Sequence, residues 1–315
     1  MAADSNKPKK EKMAIHPTDP MAEAGRKIFA RQLRRMKSHE AGSRTGEDIE
    51  SVHQMRVAIR RMRSLFNLIG AYYRRKTVAE YGRGLREIAR ALGAIRDLDV
   101  LILDLQDFQA ELPPASQAAL EPVIAILEDR RSARRVRLNR LFDSKRYSRF
   151  LRRFQRLTKG AGRGARRLKR GETPHQVRHL LPLLLHERLA RVRAYDSVLP
   201  ASDDSILHAL RVEYKQLRYA LEFFQPILGS SAATFLSQVK AMQEILGRIN
   251  DIAVFSEYVA SLDNLPAEQT AVLQNYISAR DVELVDLRER FNAAWTRFNN
   301  RATQRLFADS LLVLR

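Results

Sequence analysis

Cysteine is absent from this chain of 315 residues, which excludes disulfide bonds, thiol catalysis and cysteine-ligated metal sites. Glycine is scarce, with 13 residues, and runs of β-branched residues are few, so a protein rich in β-sheet is not expected. No stretch approaches the roughly 18–20 consecutive apolar residues of a membrane span. Apolar residues still make up 45% of the chain, enough for a hydrophobic core, and the sequence predicts an all-α protein.

Acidic residues are also too few to balance the basic ones. The chain carries 56 Lys and Arg against 36 Asp and Glu, a formal net charge of +20. Such an excess favours a polyanion, an anionic membrane surface or an acidic protein as the partner. The first 20 residues are polar and contain no apolar segment typical of a secretory signal. We therefore expect residues 1–19 to form a disordered tail and the protein to be cytoplasmic.

Helical periodicity of the apolar residues dominates the rest of the chain. It predicts helices over residues 20–38, 47–75, 78–109, 115–142, 145–158, 175–196, 203–228, 231–262 and 267–299. A basic segment with glycine and proline, residues 159–174, interrupts the pattern and is interpreted as a linker. The prediction is a first helical bundle over 20–158, a second over 175–300 and a C-terminal helical extension over 301–315.

The second half of the chain repeats the first. A histidine followed by three basic residues at i+3, i+7 and i+10 occurs twice, 155 residues apart. These two basic rows are His53, Arg56, Arg60 and Arg63, and His208, Arg211, Lys215 and Arg218. Residues 91–101 and 245–255 are also similar, at an offset of 154. Two matched blocks in the same order predict an internal duplication, giving two four-helix bundles related by a pseudo-twofold axis.

Each basic row occupies one arc of its helix. At about 100° per residue, the first row spans about 80°, and the apolar residues Met55, Ile59 and Met62 lie directly beside it. A charged face that only contacts solvent is normally mixed in sign and lies opposite the core. The rows therefore predict a basic cavity that holds an anion. Two alternatives stay open: arginines lying over their own aliphatic stems, and histidines with purely structural hydrogen bonds.

Positive charge is also concentrated between residues 130 and 178, which hold 19 Lys and Arg but only two acidic residues. In the helix predicted over 115–142, Arg131 and Arg134 occupy positions where the apolar stripe should continue, which indicates an internal cationic channel. Arg149, Arg152 and Arg153 on the next predicted helix are further candidate anion contacts. The alternative is that this stretch is an ordinary solvated basic surface.

Metal-binding and catalytic patterns are weak or missing. His175 and His179 have the i, i+4 spacing of zinc ligands, but the glutamate of the zinc-protease motif is absent. Asp97 and Asp251, which are equivalent in the repeat, are expected to pair with arginines or to cap a turn. No phosphate-binding glycine loop and no activated nucleophile is recognisable. We expect no metal site, no cofactor and no catalytic activity.

The segments VHQMRVAIRRMR and LHALRVEYKQLRY, each opening a basic row in a helical chain, resemble the CHAD family, named for its conserved histidine α-helical domain. The resemblance covers roughly residues 20–300 and includes the LGxxRDxD and LGxxND blocks that follow the rows. It implies two four-helix bundles around a basic cavity that binds inorganic polyphosphate and can direct proteins to polyphosphate granules. It also implies that the eight residues of the two basic rows are the ligand contacts.

Many CHAD domains are fused to a triphosphate-tunnel hydrolase domain with an E-x-E-x-K motif, which this sequence lacks. We therefore expect non-catalytic polyphosphate binding, with polyphosphate-metabolising proteins as further partners. The main alternative is a basic helical protein that binds nucleic acid. The net positive charge of the chain permits nucleic-acid binding. However, aromatic residues are only 7% of the chain and do not interleave with the basic rows as base stacking requires. An enzyme of polyphosphate or nucleotide metabolism is the third hypothesis.

Overall fold

The computed structural model describes residues 13–167, 174–199 and 203–314, and within these ranges the chain is helical without strands. The first half contains α1 (Met21–Ser38), α2 (Glu40–Thr45), α3 (Ile49–Ile69), α4 (Arg75–Ala110), α5 (Pro114–Asp143) and α6 (Lys145–Lys159). The second half contains α7 (Val177–Arg193), α8 (Asp204–Phe224), α9 (Ser231–Ala260), α10 (Ala267–Phe298) and α11 (Arg301–Leu311). The predicted all-α fold is confirmed.

The two helices that carry the basic rows, α3 and α8, begin in the same way. The side chain of Asp48 accepts a hydrogen bond from the backbone N–H of Glu50 at the start of α3. Asp203 accepts one from the N–H of Ile206 at the start of α8, as its position before an apolar-periodic segment predicts. An N-cap aspartate satisfies an otherwise unpaired helix N–H group and fixes where the helix begins. The basic rows thus start about one turn into each helix.

The apolar stripes beside the basic rows form the centre of the core. Met55, Ile59 and Met62 of α3 are fully buried, as are Leu210 and Leu217 of α8. Helix α3 packs against α1 and α4, α8 packs against α7 and α9, and α3 also contacts α8 directly. The main apolar cluster runs without interruption through both halves of the chain. The two basic helices are therefore held side by side by a shared core.

A second apolar cluster lies at the far ends of two long helical hairpins, α4–α5 and α9–α10. Its aromatic contact joins Phe108 of α4 to Tyr276 of α10, with ring centres 5.4 Å apart. Helix α10 also packs along α5. Each hairpin comes from a different half of the chain, so this cluster connects the halves a second time. The twofold relation predicted between them stays a prediction.

The ends of the predicted bundles differ from expectation. Residues 13–19, predicted to be part of a disordered tail, are ordered: Ile15 is buried and the backbone carbonyl of Asp19 accepts from the N–H of Val177 at 2.9 Å. The physical reason is this short backbone pairing with the segment that precedes α7, together with the ion pair between Asp19 and Lys27 at 2.7 Å. Residues 1–12 of the predicted tail lie outside the described residues.

The predicted linker is also partly docked. The backbone N–H of Arg74 donates to the carbonyl of Gly164 at 2.9 Å, and that of Arg166 donates to Tyr72 at 2.9 Å. Residues 160–167 are thereby attached to the first half, while residues 168–173 lie outside the described residues. The sequence prediction also missed α2, a single short helix that ends at Gly46 in the left-handed conformation, with φ of 74°.

Candidate functional site

Between the two halves lies a cavity of about 650 Å³, whose walls come from α3, α4, α8 and α9. The structure brings together there seven of the eight residues of the two basic rows: His53, Arg56, Arg60, Arg63, His208, Arg211 and Lys215. They meet because each row lies immediately beside the buried stripe of its helix, and the stripes of α3 and α8 share one core. The rows face each other across a common hollow rather than covering separate outer surfaces.

The charge inside the cavity is strongly unbalanced. Among the described residues, seven Lys and Arg side chains line it, but only two carboxylates do, those of Asp97 and Asp251. Like charges in a confined, partly desolvated space repel, and the folded protein must tolerate that cost unless an anion offsets it. The composition of the walls is therefore that of a binding site for a multiply charged anion.

The two carboxylates occupy equivalent places in the repeat and make equivalent contacts. Arg56 approaches Asp97 at 3.5 Å, and Arg211 approaches Asp251 at 3.7 Å, so the predicted pairing with arginines is confirmed. Both separations exceed a normal hydrogen-bond length. Burial raises the pKa of Asp97, against the opposing effect of Arg56. Each arginine is thus oriented by its carboxylate while much of its N–H fork stays available to a ligand.

Arg60 and Lys215, equivalent in the repeat, form the most buried part of the cationic lining. Burial lowers the pKa of Arg60, whose guanidinium carbon lies 5.5 Å from the centre of the Tyr219 ring. Burial and the charges of Arg211, Arg60 and Arg56 lower the pKa of Lys215 to about 7. Both side chains are therefore held where a positive charge is costly in the free protein. A bound polyanion would reverse that cost.

The two histidines have different surroundings. Nδ1 of His208 lies 2.6 Å from Oδ1 of Asn250, and the same oxygen accepts from Arg211 at 3.1 Å. Nδ1 of His53 is buried and has no hydrogen-bond partner among the described residues. Burial, followed by the charge of Arg96, lowers the pKa of His53. Arg96 holds the repeat position that Asn250 holds in the second half, so the first half of the cavity is the more cationic.

Arg218, the eighth member of the basic rows, lies outside the cavity. Its Nε donates to Glu222 at 2.8 Å and its terminal nitrogen donates to Gln243 at 3.3 Å. Glu222 also pairs with Arg61 at 2.9 Å. The carboxylate of Glu222, one turn further along the same helix, thus holds the Arg218 guanidinium away from the cavity.

The five further candidates of the basic stretch do not line this cavity either. Arg131 pairs with the buried carboxylate of Asp99 at 3.6 Å, which explains an arginine at a core position without an internal channel. The side chains of the other four are exposed, namely Arg134, Arg149, Arg152 and Arg153. Arg149 and Arg153 line a separate hollow on the first half of the molecule.

Two further cations line the cavity that the basic rows do not include, Arg90 and Arg96, both from α4. A signal for Arg90 was available, because it precedes Asp97 by seven residues and so lies on the same face of the helix. Arg96 adjoins Asp97 within the repeated block, and the block as a whole lines the cavity.

Comparison with known proteins agrees with this architecture. A family model for the CHAD domain matches residues 27–260, well over half of the chain. The chain belongs to the CHAD domain family. The CHAD domain from the plant Ricinus communis is similar over 89% of this chain and 93% of its own, with 24% sequence identity and a TM-score of 0.73. PptA from Streptomyces chartreusis is similar over 88% of this chain and 100% of its own, with 14% identity and a TM-score of 0.68.

At these identities the two structures establish the CHAD fold of this chain and nothing about its ligand. A search among curated proteins gives no match. In the described part of this CHAD domain, no helix is long and apolar enough to cross a membrane. Within the same residues, no group of three or more histidine, aspartate or glutamate side chains is arranged to hold a metal ion.

Proposed function

We propose that this CHAD domain binds inorganic polyphosphate, without cleaving it, in the cavity between α3 and α8. One observation supports the proposal above all others: in the part of the chain that the structure describes, seven Lys and Arg side chains and only two carboxylates line a single cavity of about 650 Å³. The family to which the chain belongs is associated with polyphosphate, and a linear chain of phosphates supplies the dense negative charge that these walls lack.

Arginine and phosphate are matched in geometry as well as in charge. A guanidinium offers a planar fork of N–H donors that can contact two phosphate oxygens at once. Arg56 and Arg211 face the cavity from opposite halves of the chain, each set in place by its aspartate. A polyphosphate chain passing between them would accept hydrogen bonds from both basic rows.

The cavity offers little to a nucleobase. Its aromatic residues are Tyr219 and Phe255, of which Phe255 is buried in the apolar cluster and Tyr219 lies against the guanidinium of Arg60. Neither ring is a free platform for base stacking, which binding of single-stranded nucleic acid requires. The lining therefore favours a polyanion without bases.

Cleavage is not part of the proposed function, because both carboxylates of the cavity lie beside arginines and are not free to orient an attacking water. Incubation of the protein with magnesium and long-chain polyphosphate, followed by measurement of chain length, is expected to show no shortening. By binding the chain, the protein would also accumulate at polyphosphate granules together with polyphosphate-metabolising proteins.

The deciding experiment is the dissociation constant for long-chain polyphosphate in an Arg56→Ala/Arg211→Ala variant. Loss of two charge-assisted contacts should weaken binding by about 100-fold or more. The matched control is Arg301→Ala/Arg305→Ala, which removes the same charge from exposed positions on α11 and should change affinity less than threefold. Equal losses in both variants would show that only net charge matters. RNA that displaces polyphosphate at equal phosphate concentration would instead favour nucleic acid as the ligand.

A further inference from the structure

A second cationic hollow of about 550 Å³ lies on the surface of the first half, between the start of α4, the end of α6 and residues 163–164. We call it the lateral cleft. Its lining includes five cations and one carboxylate, Glu80, and the cations are Arg74, Lys76, Arg153, Arg156 and Arg163. It is separate from the cavity between α3 and α8, with which it shares no lining residue.

The cations of the lateral cleft are mostly uncompensated. Glu80 is engaged by Arg153, whose terminal nitrogen donates to it at 2.7 Å. Among the described residues, no carboxylate lies within ion-pair distance of Arg74, Lys76 or Arg156. Glu80, the one carboxylate among the described lining residues of the cleft, is thus already paired, and most of the positive charge is available to a ligand.

The walls of the lateral cleft are fixed by the backbone of the docked segment. Gly164 accepts a hydrogen bond from the N–H of Arg74 at 2.9 Å and has a φ of 74°. A Cβ at Gly164 would lie 2.9 Å from the side chain of Thr77, so the segment packs closely against the start of α4. This attachment places Arg163 across from α4 without help from a ligand. The arrangement is therefore already formed in the free protein.

Arginines along α4 connect the cavity with the lateral cleft. Arg90 lines the cavity, and the charge of Arg86, one turn earlier, contributes to lowering the pKa of Arg63. Arg83, three residues before Arg86, lines a small hollow together with Arg153. Arg153 also lines the lateral cleft. At 1.5 Å per residue, the distance along α4 from Arg90 back to Lys76 is about 21 Å. A flexible polyanion can follow this row.

The charge distribution directs a polyanion towards this side of the molecule. The position of Arg90 is occupied in the second repeat by Glu244, and that of Arg96 by Asn250. Residues 130–178, which contribute half of the residues lining the lateral cleft, hold 19 basic and two acidic residues, whereas residues 265–315 hold seven basic and six acidic residues. The potential that attracts an anion is therefore stronger beside the first half than beside the second.

We propose that the lateral cleft is a second binding segment for the same polyphosphate chain. This inference rests on the proposed function of the cavity. One part of the chain occupies the cavity, the chain leaves along the arginines of α4, and a later part contacts the lateral cleft. A chain shorter than about 20 Å cannot reach both places, so the cleft gives the protein a preference for long chains through effective concentration.

The test compares tripolyphosphate with long-chain polyphosphate in a Lys76→Gln/Arg156→Gln variant, whose two substituted side chains are exposed. Long-chain affinity should fall about tenfold, and the slope of log affinity against log salt should shrink by about 1–2, by analogy with counterion release from nucleic acids. Affinity for tripolyphosphate, which the cavity binds alone, should stay within twofold. In the control variant Arg301→Gln/Arg305→Gln, the affinity for each of the two ligands should stay within threefold of the wild-type value.

The outcomes separate this inference from the proposed function. The inference is wrong if the Lys76→Gln/Arg156→Gln variant binds long chains as tightly as the wild type does. It is also wrong if the control variant loses as much affinity for long chains as the cleft variant, because the lateral cleft is then an ordinary basic surface. The Arg56→Ala/Arg211→Ala variant should lose affinity for both ligands. If the wild-type protein binds neither, the proposed function fails as well, whatever the cleft variant does.

Discussion

Lys215 differs from the other cations of the cavity because it can lose its charge near neutral pH. The charges of Arg56 and Arg60 of α3 and of Arg211 of its own helix act on it, and the charge of Asp251 of α9 opposes them. Burial and the three arginines lower its pKa from 10.5 to about 7. At pH 8 the free protein therefore holds Lys215 mostly neutral. A polyanion favours the charged form, so binding should take up a proton.

The resulting prediction is that polyphosphate binds more tightly at pH 6 than at pH 8. Lys215 alone should contribute about tenfold to the ratio of the two dissociation constants. The reason is that its pKa in the free protein, about 7, lies midway between pH 6 and pH 8, and that bound phosphate raises this pKa. The lowered pKa of His53 acts in the same direction. The measurement is the dissociation constant for long-chain polyphosphate at fixed ionic strength.

Two variants separate the contributions of Lys215 and His53 to the pH dependence of binding. Lys215→Arg keeps the charge at both pH values and should remove about tenfold of the pH dependence, whereas His53→Gln should remove only the smaller histidine contribution. Calorimetry in buffers of different ionisation enthalpy should detect the proton uptake directly. Equal affinity of the wild type at pH 6 and pH 8 would contradict the assignment of Lys215 as a titrating contact.

At the scale of single helices, periodicity predicted much of what the structure shows. The 3.6-residue repeat placed the core stripe and the basic row of α3 in the correct relative positions, and the same holds for α8, because both depend only on residues of one helix. Arg218 belongs to the second basic row by the repeat but does not line the cavity, and its Nε donates to Glu222 one turn further along α8. The repeat alone takes no account of such a local carboxylate.

Contacts between helices were beyond the reach of periodicity. The partner of Arg131 is Asp99, 32 residues earlier and on another helix, and nothing in the spacing of either residue identifies the other. Asp104 is a second example, since it meets Arg248 at 2.6 Å and Arg280 at 3.1 Å, both in the other half of the chain. Such pairs depend on which helices pack together, and the sequence of one helix does not determine that.

The pairing of Arg131 predicts a structural role for this residue. Asp99 is 1% exposed, and Arg131→Ala would remove the counter-charge that pairs with its carboxylate, leaving only the weaker influence of Arg96 and Arg135. The expected loss is about 1–3 kcal/mol in the free energy of unfolding, measured by denaturant titration. Affinity for polyphosphate, measured well below the melting temperature, should be unchanged. In Arg131→Leu/Asp99→Leu much of the stability should return, because both charges are removed together. Weaker binding with unchanged stability would instead make Arg131 a ligand contact.

At the scale of the whole molecule, the two halves are joined on both sides of the cavity. The main core passes through both halves, and the second cluster joins the ends of the hairpins. Beside that cluster, Asp104 of α4 accepts from the hydroxyl of Tyr276 at 2.5 Å and pairs with Arg248 of α9. The cavity between α3 and α8 therefore lies within a continuous structure rather than at a hinge between separate domains.

This continuity predicts one cooperative thermal transition, which polyphosphate shifts as a whole. A ligand that binds only the folded protein at 100 times its dissociation constant adds about 2.7 kcal/mol of stability, which for a chain of this length raises Tm by about 4 °C. Calorimetry of the wild type should show a single peak that moves with ligand concentration. At the same ligand concentration, the peak of Arg56→Ala/Arg211→Ala should move by less than about 1 °C. Two peaks, of which only one responded, would mean that the halves unfold separately and that the shared core does not couple them.

The length of the polyphosphate chain should also affect the size of the Tm shift. A ligand that spans both basic rows relieves more of the repulsion between α3 and α8 than one that contacts a single row. Long chains should therefore raise Tm further than pyrophosphate.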